Sequence, residues 1–130
     1  MSPHGPPHKM DKLIITDLQF QGHCGVTKAE REVGQRLSMD LELYCELQKT
    51  STADTFQGLP DYNHVASVVL GVGRNERFKL LESLASHIAG ILMKQFAVEE
   101  VVLRVKKIHP PVEAIQGYFG VEIRRRQGDF

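Results

Sequence analysis

The chain has 130 residues, of which 42% are apolar and 25% charged, a composition typical of one globular domain rather than two. Its 16 basic and 16 acidic residues cancel, which argues against binding mainly to nucleic-acid phosphates or anionic membranes, so we expect a small-molecule or protein partner. The two cysteines form no CxxC pair, and the first residues resemble neither a signal peptide nor a membrane span. A reducing, cytoplasmic setting is therefore expected.

The N-terminal segment, residues 1–10, is rich in proline and histidine and is predicted to be disordered, because it has little apolar surface to bury. Residues 12–20 then predict the first β-strand, with Ile14, Leu18 and Phe20 sharing one side.

The stretch 22–35 interrupts the strand pattern. Two glycines bracket His23 and Cys24, and a short helical turn carrying Glu30 and Glu32 follows. A glycine-bracketed connection normally lies on the surface, where a rigid sheet can hold it against a ligand. This pattern favours a functional loop, and a bulged hairpin with solvated carboxylates remains the alternative.

The clearest strand covers residues 36–47, where apolar and polar residues alternate almost throughout. A period of two with one polar face predicts a sheet that is covered on one side only, which is usually antiparallel. Residues 50–60 are predicted as a loop. Asp61 is then well placed to cap a helix, with Tyr62 in its first turn.

Two amphipathic helices are predicted next. The first has an apolar stripe at i, i+3, i+4 and i+7, formed by Val65, Val68, Val69 and Val72. The Gly-Val-Gly run at 71–73 lacks a third glycine and a preceding strand, so it predicts the end of that helix rather than a dinucleotide loop. The second helix is predicted over residues 80–95, with Glu82 in its first turn.

Two further strands close the chain, one marked by Val101, Leu103 and Val105, the other by Phe119, Val121 and Ile123. The order is therefore β-β-α-α-β-β. Four antiparallel strands with one apolar face, covered by two helices, predict a two-layer α+β domain. We expect this domain to span residues 11–126, followed by a C-terminal tail at 127–130.

Three polar side chains are candidates for chemistry. Lys107 continues the inward parity of the third strand, so its ammonium is expected on the core side, where partial desolvation favours proton exchange near neutrality. The alternative is that this strand ends at Val105 and that Lys107 extends into water. Glu82 is suited either to the helix dipole or to accepting two parallel hydrogen bonds from the amino-amide edge of a pterin or guanine. Tyr62 is a proton donor or acceptor, or a packing residue.

Taken together, these residues resemble the dihydroneopterin aldolase family of folate biosynthesis. The resemblance covers nearly the whole chain after Met10 and is carried by residues 22–35, Asp61-Tyr62, residues 78–85, residues 104–107 with Pro110-Pro111, and residues 120–123. It implies a tunnelling fold, in which four sheets close into a ring and two rings stack into a homo-octamer. It also implies active sites between neighbouring subunits, and neither a metal nor an organic cofactor.

The resemblance further implies a retro-aldol cleavage of dihydroneopterin to hydroxymethyl-dihydropterin and glycolaldehyde, with epimerisation as a side activity. Lys107 would be the main acid/base, and Tyr62 would reach in from a neighbouring subunit. Glu30 would hold the side-chain end of the substrate, or a water, near Lys107. The ring imine of the substrate accepts the electrons, so this chemistry requires neither a Schiff base nor a Lewis-acid metal.

For substrate binding, the resemblance implies that Glu82 anchors the pterin edge with the backbone near Leu81, and that Val26 offers backbone or apolar contact. The chain departs from the family pattern at residues 54–62, where an acidic cluster usually precedes the tyrosine. After Lys107, the pair Ile108-His109 is also similar to the related dihydroneopterin triphosphate epimerase.

Two alternatives therefore stand beside the aldolase. One is an epimerase acting on a phosphorylated dihydroneopterin, for which His109 or Lys28 would supply positive charge at the pocket mouth. The other is a non-catalytic pterin- or purine-binding relative that keeps Glu82 for binding and uses Lys107 only structurally.

Overall fold

The computed structural model describes residues 10–55 and 59–130. The predicted β-β-α-α-β-β order is confirmed as the framework, with the predicted helical turn at Glu30 and two further short elements added to it. In chain order the elements are β1 (Asp11–Cys24), α1 (Lys28–Val33), β2 (Gln35–Cys45), α2 (Gln48–Ala53), α3 (Tyr62–Asn75), β3 (Arg77–Phe78), α4 (Leu81–Gln95), β4 (Glu100–Lys107) and β5 (Phe119–Arg126). Of the segment predicted to be disordered, residues 1–9 lie outside the described residues.

The five strands form one sheet in the order β3-β1-β2-β4-β5. The pairs β1/β2, β2/β4 and β4/β5 are antiparallel, as predicted. The added strand β3 runs parallel to the end of β1 and places Cys24 opposite Phe78. The α+β class is thus confirmed, and the predicted strand count is corrected from four to five. A two-residue strand is too short to show a period of its own.

A β-bulge in β1 changes which residues of that strand face the core. The pairing with β2 shifts between Ile15 and Leu18, and Asp17 has a φ of 55°. The Asp17 backbone N–H donates to Asp40 Oδ1 at 2.8 Å, and the Ser38 hydroxyl donates to the Asp17 carboxylate at 2.6 Å. The prediction that Ile14 faces inward is therefore wrong, because the extra residue reverses the parity before the bulge and leaves Ile14 58% exposed.

The predicted loop at residues 50–60 begins with a helical turn instead. Helix α2 includes Ser51 and Thr52, residue types with modest helix propensity. Both hydroxyls donate to the Gln48 carbonyl, at 2.8 and 2.9 Å, which supports this turn locally. Asp61 caps α3 as predicted, since its side chain accepts from the Asn63 backbone N–H at 3.1 Å.

The Gly-Val-Gly run does not end the helix, because α3 continues through it to Asn75. Gly73 faces the sheet, and a Cβ placed there would lie 2.4 Å from Cε2 of Phe20. The missing side chain thus allows α3 to approach the Phe20 ring closely. Gly71 has no atom within 4 Å of the corresponding Cβ position, so it faces open space.

The core lies between the sheet and helices α3 and α4, as predicted. Fully buried side chains come from both layers: Leu37, Met39, Leu41, Leu43, Val101, Leu103 and Val105 from the sheet, and Val65, Val69, Leu84, Ile88 and Leu92 from the helices. The opposite face of the sheet carries ion pairs: Lys12 with Glu42, Lys106 with Asp40, Arg104 with Glu122, and Arg124 and Arg126 with Glu100. No described helix is long and apolar enough to cross a membrane.

Candidate active site

Lys107 lies at the end of β4, on the face that β4 turns towards the helices. It pairs with Leu37 of β2 and with Phe119 of β5, and its side chain is only 14% exposed. Lys106 points to the opposite face, where its Nζ lies 3.2 Å from Asp40 Oδ2. The prediction that Lys107 is on the core side is confirmed, and the strand does not end before it.

Glu30 of α1 is the acidic partner of this lysine. Its Oε2 lies 3.6 Å from Lys107 Nζ, and its side chain is 30% exposed. The backbone N–H and the hydroxyl of Thr27 both donate to Oε1, at 3.2 and 3.0 Å. These bonds hold the pKa of the Glu30 carboxyl below its usual value, and the Lys107 charge adds to the effect. The pair is therefore an ionised carboxylate facing a largely buried amine.

The connection from β1 to α1 is held by side chains that bind backbone carbonyls. The Arg31 guanidinium donates to the carbonyls of Gly25 and Val26, at 3.1 and 2.7 Å. His23 Nδ1 donates to the Arg31 carbonyl at 3.0 Å, and Gln35 Nε2 donates to the Cys24 carbonyl at 2.7 Å. The loop predicted to be functional is thus a cross-linked turn that presents Glu30 at a fixed position, whereas the side chain of Val26 is 71% exposed.

Cys24 lies within the electrostatic influence of the charged groups of the site. Its side chain is buried, and burial raises the pKa of the thiol to about 11. The Lys107 charge opposes this rise, whereas the charges of Glu82 and Glu30 add to it. Three charged residues, from β4, α4 and α1, therefore lie near enough to this thiol to influence its pKa. The sequence reasoning missed Cys24 as a site residue, although its place between two glycines was a usable signal.

Helix α4 brings Glu82 to this region. Strand β3 pairs Phe78 with Cys24, so α4 begins beside the end of β1. Leu81 is buried, and Glu82 is exposed in the first helical turn. The N-cap residue Leu80 makes no side-chain capping bond, so no N-cap side chain competes for the backbone N–H groups at the start of α4. The start of α4 therefore offers donors beside a carboxylate acceptor.

An open cavity of about 570 Å³ extends from this point along the outer face of α4. It is lined by Glu82, Ser83, Ser86, His87, Gly90, Ile91, Lys94 and Phe130. Lys107 and Glu30 are not part of its lining, so this cavity leads away from the amine and carboxylate pair.

Tyr62 does not belong to this cluster within one chain. It begins α3, is 69% exposed, and shares a small cavity with Leu13 and Leu43. Leu43 lies six residues beyond Leu37, the partner of Lys107, which separates the two positions by about 20 Å along β2. The structure thus brings together Lys107, Glu30, Glu82 and Cys24, and leaves Tyr62 at the other end of the sheet.

This arrangement can exchange a proton and bind a polar ring edge. A largely buried amine next to an ionised carboxylate is a suitable general acid/base pair. An exposed carboxylate at a helix start, such as that of Glu82, can accept two parallel N–H bonds. Among the described residues, no three His, Cys, Asp or Glu side chains are grouped closely enough to hold a metal ion.

Comparisons with a family model and with individual relatives agree on one family. A family model described as FolB, dihydroneopterin aldolase, matches residues 13–124. A dihydroneopterin aldolase of Streptococcus pyogenes is 32% identical over 119 residues, which cover 91% of this chain and 100% of that protein. The corresponding protein of Bacillus subtilis is 30% identical, covering 91% of this chain and 99% of its own.

Among solved structures, the E. coli dihydroneopterin aldolase in complex with neopterin superposes with a TM-score of 0.81 at 28% identity. The match covers 89% of this chain and 99% of that one. The tunnelling-fold class inferred from the sequence is therefore confirmed.

Proposed function

The chain belongs to the dihydroneopterin aldolase family, and on this premise we propose an active site formed by Lys107, Glu30 and Glu82. The activity is the retro-aldol cleavage of dihydroneopterin to hydroxymethyl-dihydropterin and glycolaldehyde, a carbon–carbon lyase reaction of folate biosynthesis. The observation that carries the residue assignment is the ion pair between Lys107 Nζ and Glu30 Oε2, which are 3.6 Å apart.

In this proposal Lys107, acting as the free amine, takes the proton of the substrate's 2′-hydroxyl, directly or through a water that Glu30 holds. The adjacent carbon–carbon bond breaks, glycolaldehyde leaves, and the bonding electrons enter the ring imine of the dihydropterin. A proton delivered to the side-chain carbon restores the imine and completes the hydroxymethyl product. Because the substrate supplies its own electron sink, Lys107 acts without forming a covalent intermediate.

In this proposal the pterin ring binds at the start of α4. Glu82 accepts two parallel hydrogen bonds from the amino-amide edge, and the backbone near Leu81 donates to a ring acceptor. The exposed carboxylate and the N-cap without a side-chain bond support this placement. Val26 supplies an apolar or backbone contact from the loop. The neopterin complex of the E. coli relative supports a pterin as ligand.

Product analysis with dihydroneopterin tests the proposal, and β4 offers a matched control. Lys107→Ala should lower kcat by about a hundredfold or more, because a positioned acid/base is lost, and should leave pterin affinity largely unchanged. Lys106→Ala removes the neighbouring amine from the opposite face and should change kcat less than about threefold. Equal effects of the two substitutions would refute the role of Lys107.

The same incubation separates the alternative activities. Release of glycolaldehyde requires carbon–carbon cleavage. An epimerase would return an isomer of its substrate without glycolaldehyde, and a binding relative would return the substrate unchanged.

We further propose that the working assembly is a homo-octamer of two stacked tetrameric rings, in which Tyr62 completes the site of the neighbouring subunit. Its distance from Lys107 within the chain and its exposure support this arrangement. The sheet ends in β5 on one side, and β1 is covered by β3 only at His23 and Cys24. Exposed strand edges of this kind are stabilised when another subunit pairs with them.

A mixing experiment tests this assembly. If each site takes Lys107 from one chain and Tyr62 from the next, Lys107→Ala and Tyr62→Phe proteins should each be impaired. Refolding them together in equal amounts should then restore about a quarter of the sites. No recovery, with mixed oligomers confirmed by native mass spectrometry, would mean that Tyr62 does not act across the interface.

Residues 11–126 are proposed to act as one domain in the cytoplasm. Two observations support this. The core draws side chains from elements between β1 and β4, and β5 packs against it. Both cysteines are free and buried, as is common where thiols are kept reduced.

A further inference from the structure

The two oxygens of the Glu30 carboxylate have different partners. Oε1 accepts from the Thr27 backbone N–H and from the Thr27 hydroxyl, at 3.2 and 3.0 Å. Oε2 faces Lys107 Nζ at 3.6 Å. The Thr27 hydroxyl in turn accepts from the Glu30 backbone N–H at 3.1 Å. One residue therefore binds both the backbone and one carboxylate oxygen of Glu30, and leaves the second oxygen directed at the lysine.

The aliphatic part of the Glu30 side chain is also held in place by packing. A Cβ added at Gly25 would lie 2.3 Å from Glu30 Cβ and 2.9 Å from its carboxyl carbon, so the side chain packs directly on the Gly25 backbone. The Arg31 guanidinium fixes that backbone by binding the Gly25 carbonyl. A glutamate side chain that is 30% exposed would otherwise sample several rotamers. Packing on one side and Thr27 on the other restrict it to one orientation.

We propose that Thr27 is a positioning residue of the active site, whose hydroxyl orients the Glu30 carboxylate towards Lys107. This inference rests on the proposed function, because it assumes that the pair takes part in catalysis. A threonine at a helix N-cap is common for structural reasons alone. The experiment must therefore separate the capping of α1 from the orientation of the carboxylate.

Three substitutions of Thr27 distinguish the capping of α1 from the orientation of the Glu30 carboxylate. Thr27→Ser keeps both the acceptor for the Glu30 N–H and the O–H donor. Thr27→Val removes both while conserving shape. Thr27→Asp keeps a capping acceptor and the backbone N–H, but its side chain offers no donor to Oε1, and its charge repels the Glu30 carboxylate.

Steady-state kinetics with dihydroneopterin, together with thermal unfolding, gives the decisive comparison. Thr27→Ser should retain kcat within about twofold. Thr27→Val and Thr27→Asp should each lose about tenfold in kcat with little change in KM, the effect expected from losing one hydrogen bond to a charged group. Thr27→Asp should nevertheless unfold close to the wild-type temperature, because its helix cap is intact. A kcat for Thr27→Asp equal to that of Thr27→Ser would overturn the inference.

Glu30→Gln separates this inference from the proposed function. If Glu30→Gln lowers kcat and Thr27→Val does not, only the inference fails. If Glu30→Gln leaves kcat unchanged, the proposed role of Glu30 fails together with the inference, whereas the lyase activity itself is still decided by glycolaldehyde release and by Lys107→Ala. When Thr27 acts through Glu30, adding Thr27→Val to Glu30→Gln should lower kcat by less than about twofold further. A full additional tenfold loss in the double variant would show that Thr27 acts by another route.

Discussion

The two glycines of the Gly-Val-Gly run provide a matched test of how α3 packs on the sheet. Gly71 and Gly73 lie two residues apart in the same helix, and both are replaced by alanine in this test. Gly71 faces open space, whereas a Cβ at Gly73 would lie 2.4 Å from Cε2 and 2.7 Å from Cδ2 of Phe20. The same chemical change therefore meets two different surroundings.

The expected effects have opposite signs. Replacing a mid-helix glycine with alanine stabilises a helix by about 1 kcal/mol when nothing opposes it. Gly71→Ala should thus raise the free energy of unfolding by about 0.5–1 kcal/mol. At Gly73 the new methyl group meets a rigid aromatic ring that is 1% exposed and cannot move aside without disturbing the core. Overpacking of this kind costs about 1–3 kcal/mol, so Gly73→Ala should be destabilising by about 1 kcal/mol net.

Equilibrium unfolding in urea measures both values, and unchanged m-values would show that the compared states are the same. Phe20→Leu removes the ring and leaves room for the new methyl group. In that background Gly73→Ala should be less destabilising than in the wild type, which a double-mutant cycle would detect. Equal stabilisation by both alanines would refute the close contact between Gly73 and Phe20.

Three further outcomes are expected. Glu82→Ala should weaken neopterin binding in calorimetry by about a hundredfold, because a buried ring edge loses its charged acceptor; unchanged affinity would leave Glu82 as a helix-dipole partner only. The pKa of the Cys24 thiol rises from 9.0 to about 11 on folding, so the unfolded chain binds fewer protons in this range. The free energy of unfolding should therefore fall by up to about 3 kcal/mol between pH 9 and pH 11, and Cys24→Ala should flatten that slope in denaturant titrations. Asp61→Ala should lower the free energy of unfolding by about 1 kcal/mol through loss of the α3 cap, and an unchanged unfolding midpoint would contradict this.

The parts of the fold that could be predicted are those with an uninterrupted local pattern. Strand β2 alternates over nearly all of its length, and α4 keeps one apolar stripe from Leu81 to Leu92. The orientation of Ile14 could not be predicted, because the bulge that reverses it depends on Asp40 and Ser38 of another strand. The run containing Gly73 was predicted to end the helix, whereas Gly73 allows α3 to pack closely on a ring contributed by β1. Each error reflects a contact between residues distant in sequence.

In the candidate site, too, local patterns could be predicted and contacts between distant residues could not. The parity of β4 alone placed Lys107 on the core side, and the structure agrees. Its closeness to Glu30 was inferred from the family resemblance, since no local spacing connects α1 with the end of β4. The contact forms because β2 lies between β1 and β4 in the sheet, so α1, which joins β1 to β2, stands beside the end of β4. Cys24 was missed for a similar reason, as its charged neighbours come from three separate elements.

The distribution of charge on the sheet bears on how the proposed ring would be held together. The ion pairs on the face away from the helices, such as Lys106 with Asp40 and Arg104 with Glu122, form within one chain. They therefore require no charged partner from a neighbour. The part of β1 that β3 does not cover and the edge strand β5 instead carry exposed apolar residues, Ile14 and Phe119, beside backbone groups that another strand can bind. Contacts between subunits would then rest on backbone hydrogen bonds and apolar burial, both of which are weakly screened by salt. A ring built in this way should persist at ionic strengths that disrupt assemblies held by surface charges, and it would keep Tyr62 of one chain close to Lys107 of the next.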